Sequence, residues 1–306
     1  MKKEDNSPLK MESLTEAHRI FGIPRPQHPL ISLIHGTHLP ADMGDFRNGH
    51  VLGFYKIAYK PKLTGRLKYG QSYYDFDEGG LLFASPGQIM GVNDNEANAC
   101  SEYTLLVHPD FFLGYSLAKK IRHYGFFSYA TNETLHLSEE EKTTIMQVFN
   151  MIDIELKGRI DDFSQDVVIA QIELLLNYAN RFYKRQFITR KAINNDLLQK
   201  LEEILDSYFA GEKPANEGIP TVHYLSEKLN LSPSYLSDLL RSLTGQNAQQ
   251  HIHQKLIEKA KEKLSTTGLS VSEIAYELGF EHPQSFSKLF KTKTNISPLE
   301  FKRSFN

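Results

Sequence analysis

The sequence predicts an α+β protein: an N-terminal β-barrel or sandwich followed by helices, then an all-α domain with two helix-turn-helix units. Three observations predict it. Between Ile31 and His108 short apolar runs are broken at close spacing by Gly, Pro and Asn, as in all-β folds. From Ser138 to about Lys184 apolar residues recur at steps of three and four, the period of helices that bury one face. In the last third, one grammar of apolar, small and turn residues occurs twice, about fifty residues apart.

A chain of 306 residues is long enough for two domains with proper cores, and 40% hydrophobic with 24% charged residues is an ordinary globular composition. No apolar run reaches the ~18 residues of a membrane span, and the first residues lack the apolar core of a signal peptide, so a cytoplasmic location is expected. Cys100 is the only cysteine, which excludes an intrachain disulfide or a cysteine-based zinc site. The formal charge of −2 divides into +3 for residues 219–306 and −5 for the rest. So mild an excess predicts modest nonspecific attraction to phosphate. Specific contacts, homodimerisation or contact with RNA polymerase would have to help hold a DNA site.

In chain order, residues 1 to about 28 are polar with scattered Pro and read as a loose arm. Candidate strands are Ile31–His35, Val51–Tyr59, Arg66–Tyr69, Tyr73–Phe76, Leu81–Ala84, Gln88–Val92 and Tyr103–Val107. Pro109 to Phe127 reads as helical with an aromatic end. Ser138 and Glu141 have the spacing of a capping box, opening a helix that buries Ile145, Val148, Phe149, Ile152 and Leu156 and ends near Gly158. From Ser164, Val168, Ile172, Leu175, Ala179 and Phe182 step by 4, 3, 4 and 3, a seam at coiled-coil spacing. These five are the candidate dimerisation residues. Ile169, Leu176 and Tyr183 add a second face, so one face can meet the β domain and the other a partner subunit. The expected domains are 1–185, a linker over 186–195, and 196–306. Asp196 to Phe209 opens the last domain as a helix, and the loop Glu212 to Gly218 should be exposed.

In the second repeat Ile274, Ala275 and Leu278 share a helical face, Gly279 supplies a positive φ for a tight turn, and Phe280 plugs the core. Pro283 then suits the first turn of a helix with Phe286, Leu289 and Phe290 facing inward. Leu225, Ser226, Leu229, Asn230 and Leu231 match the first group at an offset of 49 residues, with Asn in place of Gly as the residue next most tolerant of the left-handed region. After the turn the offset becomes 50: Leu236, Leu240 and Arg241 match Phe286, Phe290 and Lys291. Between the units, Ala248 to Leu264 reads as one helix, roughly 25 Å long, with Ile252, Leu256, Ala260 and Leu264 in a stripe.

Two such units bridged by one helix, closing with Phe290-Lys291, Ile296-Ser297-Pro298 and Phe301-Lys302-Arg303, resemble the AraC/XylS family of bacterial transcription regulators. The resemblance is specific from about Asp196 to Asn306. Asn295 stands where a Gly is usual. Upstream, the stretch Tyr73 to Pro86 resembles the cupin-like sensor half of the same family, which implies a cupin-like effector or dimerisation domain. The resemblance implies a sequence-specific regulator of double-stranded DNA, with no cofactor and no membrane partner, controlled by a small-molecule effector in its β domain or by dimerisation. Its two reading helices would enter successive major-groove segments about 34 Å apart. Outward positions are Ser234, Ser237, Asp238 and Arg241 in the first helix, and Gln284, Ser287, Lys288 and Lys291 in the second. By donor and acceptor chemistry Gln284 suits adenine, Lys288 guanine and Asp238 cytosine, while Arg241 and Lys291 suit phosphate.

The alternative is a cupin-type metalloenzyme fused to a DNA-binding tail. Against it, catalytic cupins hold metal with a His-x-His pair, an acidic residue and a later His, and no His-x-His occurs in the β segment. His35, His38, His50 and His108 are scattered along it, and the turn from Pro86 to Gly91 has no His. No nucleophile elbow or phosphate loop is present either. The aromatic residues Phe54, Tyr55, Tyr59, Tyr69, Tyr73, Tyr74, Phe76 and Phe83 read as core, with some available to line an effector pocket.

Overall fold

The computed structural model describes residues 8–37, 50–61, 66–69, 72–75, 79–90, 101–130, 133–158, 163–189 and 191–305. The chain divides into two compact units, residues 1–189 and 190–306. Cys100, His38, Phe76 and the strand end at 91–92 lie outside the described residues.

The first unit is built on a five-stranded antiparallel sheet. Its strands are β2 (Ile31–Thr37), β4 (Tyr55–Lys60), β7 (Gly80–Ala84), β9 (Ser101–Val107) and β10 (Leu135–His136), ordered β10-β7-β4-β9-β2. Ile57 pairs with Phe83 on one side and Leu105 on the other, which places this apolar row at the sheet's centre. A second sheet has the order β1-β3-β8, from Leu9–Met11, His50–Leu52 and Ile89–Met90. Arg66–Tyr69 and Ser72–Asp75 (β5 and β6) form a hairpin. Each sheet is open among the described residues, with no ring of strands closing into a barrel.

Three local expectations ahead of residue 138 also change. The single strand expected over Val51–Tyr59 is two, in different sheets, because the chain turns at Gly53. The Gly53 N–H donates to the Met11 carbonyl (2.8 Å), and a Cβ at Gly53 would lie 3.0 Å from the Glu12 carbonyl oxygen. The expected loose arm is ordered over Leu9 to Ile20. Ser13 caps helix α1 (Leu14–Ile20) by accepting from the Glu16 N–H, and Met11, Leu14 and Ala17 are fully buried against Ile34, Leu52, Phe54 and Leu106. Pro109 to Phe127 is a series of short turns around the one-turn helix α2 (Leu117–Lys120), its aromatic residues Phe111, Phe112, Phe126 and Phe127 all buried.

Helix α3 (Glu139–Lys157) starts at the capping box read from the sequence, with both Ser138 and Glu141 bonds made. It packs on α4 (Ser164–Thr189). Val168, Ile172, Leu175, Ala179 and Phe182 are all buried within the single chain, from 0% to 7% exposed. Ile169, Leu176 and Tyr183 are buried too, so both faces of the helix are used inside this unit. The seam assigned to a partner subunit is therefore intramolecular core. The segment expected as a linker also begins inside the unit: Gln186 and Phe187 are buried, and the Gln186 side chain accepts from the His136 N–H (2.9 Å).

The second unit is all-helical: α5 (Lys191–Ala210), α6 (Lys213–Glu217), α7 (Val222–Leu229), α8 (Pro233–Thr244), α9 (Ala248–Thr266), α10 (Val271–Glu277), α11 (Pro283–Thr294) and α12 (Pro298–Arg303). The loop expected at Glu212–Gly218 is the short helix α6, with Pro214 buried. One apolar core joins the pieces. Ile252, Leu256, Ala260 and Leu264 of α9 lie in it with Leu201 and Leu205 of α5, the buried faces of α7 and α8, and those of α10 and α11. Among the described residues no helix is long and apolar enough to cross a membrane.

Gly279 adopts φ +90°, and a Cβ there would lie 2.6 Å from the Gly218 backbone carbon and 2.8 Å from the Pro214 carbonyl oxygen. Gly279→Ala should therefore destabilise the protein by about 2 kcal/mol or more, through the left-handed backbone and the clash with α6 together. A thermal melt unchanged from wild type would refute this. Leu175→Glu puts a carboxylate into dry core and should cost several kcal/mol. We expect a lowered melting temperature and loss of soluble protein, and a well-folded monomer by light scattering would restore the seam to a subunit interface.

Candidate nucleic-acid interface

The two helix-turn-helix units share the cap and turn of their first helix down to single hydrogen bonds. They differ at the start of the second, where Ser232 accepts from the Tyr235 N–H but His282 makes no such bond. Thr221 caps α7 by accepting from the Tyr224 N–H, and Ser270, 49 residues on, caps α10 by accepting from the Glu273 N–H. At the far end the Asn230 N–H donates to the Glu227 carbonyl and the Leu231 N–H to the Ser226 carbonyl. Gly279 and Phe280 make the matching bonds to Tyr276 and Ala275. Asn230 has φ 55°, so the substitution of Asn for Gly works as its tolerance of the left-handed region predicts. Buried Ser226 meets its polar requirement by donating to the His223 carbonyl (2.8 Å).

The correspondence runs past what the sequence reading covered. Gly245 and Asn295 both end their helices in the left-handed region, at φ 78° and 65°, each N–H donating to the carbonyl of Arg241 or Lys291. Asn247 with Gln250, and Ser297 with Glu300, then form capping boxes on α9 and α12. All four residues keep the 50-residue offset. Asn295, departing from the usual Gly, thus keeps the conformation Gly would supply. The signal was available as an N/S-x-x-Q/E spacing after each reading helix.

Each unit holds its second helix, α8 or α11, by one buried face: Tyr235, Leu236, Leu239 and Leu240 in α8, Phe286 and Phe290 in α11. The opposite faces carry the side chains expected to read DNA. Under the same offset Ser234 corresponds to Gln284, Ser237 to Ser287, Asp238 to Lys288 and Arg241 to Lys291. Gln284, Lys288, Lys291 and Arg241 are exposed, while Ser234, Ser237, Asp238 and Ser287 are half-buried. Arg241 donates from Nη1 to Oδ1 of Asp238 at 2.9 Å. Lys293, which the sequence reading omitted, is a third exposed cation on α11.

A helix-turn-helix domain family matches residues 225–304, which span all of this duplicated construction except its first cap and turn. The C-terminal unit is an AraC-type helix-turn-helix domain. The chain is 29% identical over 151 residues to the HTH-type transcriptional activator RhaS of Salmonella schwarzengrund, covering 49% of this chain and 52% of RhaS. It is 37% identical over 79 residues to the uncharacterized transcriptional regulatory protein YesN of Bacillus subtilis, covering 25% of this chain and 22% of that protein. The chain thus spans about half or less of these curated relatives. Among solved structures, it is similar to the C-terminal domain of the response regulator yesN from Fusobacterium nucleatum, at 33% identity over 35% of this chain and 98% of that one, with a TM-score of 0.31.

Outside the AraC-type domain, the first unit holds two adjoining cavities of about 270 and 420 Å³. Both are lined by Gln27, His28, Ile31 and Leu156, between the segment before β2 and the end of α3. Phe54, Tyr55, Tyr59 and Phe83 are buried and line neither cavity, and the side chains of Tyr69, Tyr73 and Tyr74 lie outside the described residues. His35 Nε2 lies 2.9 Å from Asp153 Oδ1, and the other carboxylate oxygen accepts from Lys157 at 2.7 Å. Burial lowers the His50 imidazole to about 4, with the Lys56 charge adding to the effect, so it is neutral at pH 7. Among the described residues no three His, Cys, Asp or Glu side chains converge as metal ligands would.

Proposed function

We propose that the protein is a sequence-specific DNA-binding transcription regulator that presents α8 and α11 to successive major-groove segments on one side of the duplex. The observation that carries this reading is the duplication, at offsets of 49 and then 50 residues, in which two reading helices with polar outer faces are fixed on one bridging helix. Similarity to RhaS, named as a transcriptional activator, supports it. In this reading Gln284 pairs with adenine, Lys288 reaches guanine and Asp238 accepts from cytosine, while Arg241, Lys291 and Lys293 face phosphates and Ser234, Ser237 and Ser287 make short-range polar contacts.

The first unit, cupin-like in this reading, is the regulatory half. The cavities beside His28 and Leu156 are the place for a small-molecule effector, since they combine apolar walls with polar side chains from two elements. With the α4 seam buried, pairing of two subunits falls to the outer helical faces. There Phe163 just ahead of α4, Val167 and Leu174 on it, and Met151 and Ile154 on α3, are exposed apolar side chains. Contact with RNA polymerase and a cytoplasmic setting complete the proposal.

Capture of genomic fragments on the full chain, followed by footprinting, tests the central claim. The expected footprint is two adjacent protected major-groove segments per monomer. Lys288→Ala should cost about 1–3 kcal/mol at the preferred site and relax one base position, whereas Lys291→Ala should weaken all sequences alike and flatten the salt slope by about one. Equal losses on random and preferred DNA for Lys288→Ala would remove its base-reading role. Elemental analysis of the full chain purified without chelator should find no stoichiometric iron, manganese or zinc. One metal per chain, lost together with an enzymatic activity in His35→Ala, would favour the metalloenzyme instead.

A further inference from the structure

The duplicated construction makes position-by-position comparison of the two reading helices possible, and their charges diverge at one equivalent pair. Asp238 in α8 stands where α11 has Lys288, while the next position is cationic in both, as Arg241 and Lys291. The consequences are opposite. In α8 the two charges lie three residues apart with opposite sign and form an ion pair at 2.9 Å, so the outer face of that helix is neutral overall. In α11 the same spacing brings two like charges, Lys288 and Lys291, together, while Lys293, two residues on, leaves the helix on another side, and none of the three is in an ion pair among the described residues. Like charges at this spacing oppose the helix in the free protein, and an anion laid across them relieves that repulsion. A carboxylate on a reading face acts in the reverse sense, because it is repelled by any phosphate backbone unless a base donor or a cation compensates it.

Resting on the DNA-binding reading above, we propose that the two units divide the work. The second unit supplies the phosphate attraction through Lys291 and Lys293, with Lys288 kept for its base. The Asp238–Arg241 pair makes the first unit a selectivity element, which suppresses binding to DNA of arbitrary sequence. On random duplex Arg241 stays committed to Asp238, so α8 contributes no net attraction. On a site that offers a cytosine amino group to Asp238, the carboxylate gains a donor and Arg241 becomes available to a phosphate. The cost of the wrong sequence is thus concentrated in one intrahelical pair. That also fits the small positive excess of residues 219–306, which leaves little charge for indiscriminate binding.

The test is Asp238→Asn in the full chain, with binding measured by fluorescence anisotropy across a salt series. Two labelled duplexes are used: the preferred site captured by wild type, and a random sequence of equal length. The pair is on the surface, Arg241 being 56% exposed, so the variant should fold normally, which a thermal melt checks. Affinity for random duplex should rise about threefold to tenfold, the salt slope on it should steepen by about one as Arg241 becomes free for phosphate, and affinity for the preferred site should not rise. The ratio of specific to random affinity therefore falls. As a comparison, Lys293→Ala should weaken both duplexes by a similar factor and flatten both slopes. An unchanged random-DNA affinity and slope in a folded Asp238→Asn protein, or an equal gain on both duplexes, would overturn the proposal. A wild-type protein that binds neither duplex would instead overturn the DNA-binding reading on which it rests.

Discussion

Helices of eight and twelve residues, such as α7 and α8, are too short to bury a core of their own, and the same is true of α10 and α11. Both pairs become stable by laying their apolar faces on α9, whose residues Ile252, Leu256 and Ala260 are fully buried and Leu264 nearly so. That shared burial is the constraint on which the second unit depends. It fixes each reading helix relative to the same rigid rod, and it demands small residues where helices cross. Ala275 and Ser226 meet that demand at equivalent positions, and Gly279 does so against the backbone of Gly218.

The duplication has been kept where backbone geometry needs it and has drifted where solvent permits. The left-handed turn residues correspond, as do the inward pairs Leu236–Phe286 and Leu240–Phe290, because each satisfies a backbone group or fills a fixed volume. Outer positions satisfy no such demand, and there the units differ in charge sign. A change of charge sign on the outer face is the pattern expected when a common scaffold carries two surfaces with different tasks. The unequal charge of α8 and α11 is therefore informative about binding, whereas the equal burial of Leu236 and Phe286 is informative only about packing.

In the first unit both apolar faces of α4 are buried within one chain. An apolar seam at steps of four and three reports that a helix has something to bury against, and it does not name the partner. Here α3 and the surrounding aromatic residues take up both faces of α4: Tyr183 lies 5.5 Å from Phe126 and 6.3 Å from Phe83 between ring centroids, and its hydroxyl donates to the Glu133 carbonyl. Polar ties follow the same inward direction. Arg185 donates both to Glu141, the residue that closes the cap of α3, and to the His136 carbonyl.

What the sequence determined by itself is local. The stripe of α9, the cap at Ser138 and the turns at Asn230 and Gly279 were legible because each depends on residues within one or two helical turns, through periodicity, a short side-chain bond or a backbone preference. The outward positions of α8 and α11 were legible for the same reason, as the remainder once the buried face is known. Tertiary structure decided whatever rests on distant partners. The strand breaks at Gly53 because the backbone of Glu12 lies against it, and the polar stretch before residue 28 orders because Met11, Leu14 and Ala17 find Phe54 and Leu106. It also decided that Leu175 faces its own chain, and that Arg241 turns to Asp238 and leaves α8 without net charge. In each case the deciding energy is a contact between side chains or backbones that folding brings together, which no local pattern encodes.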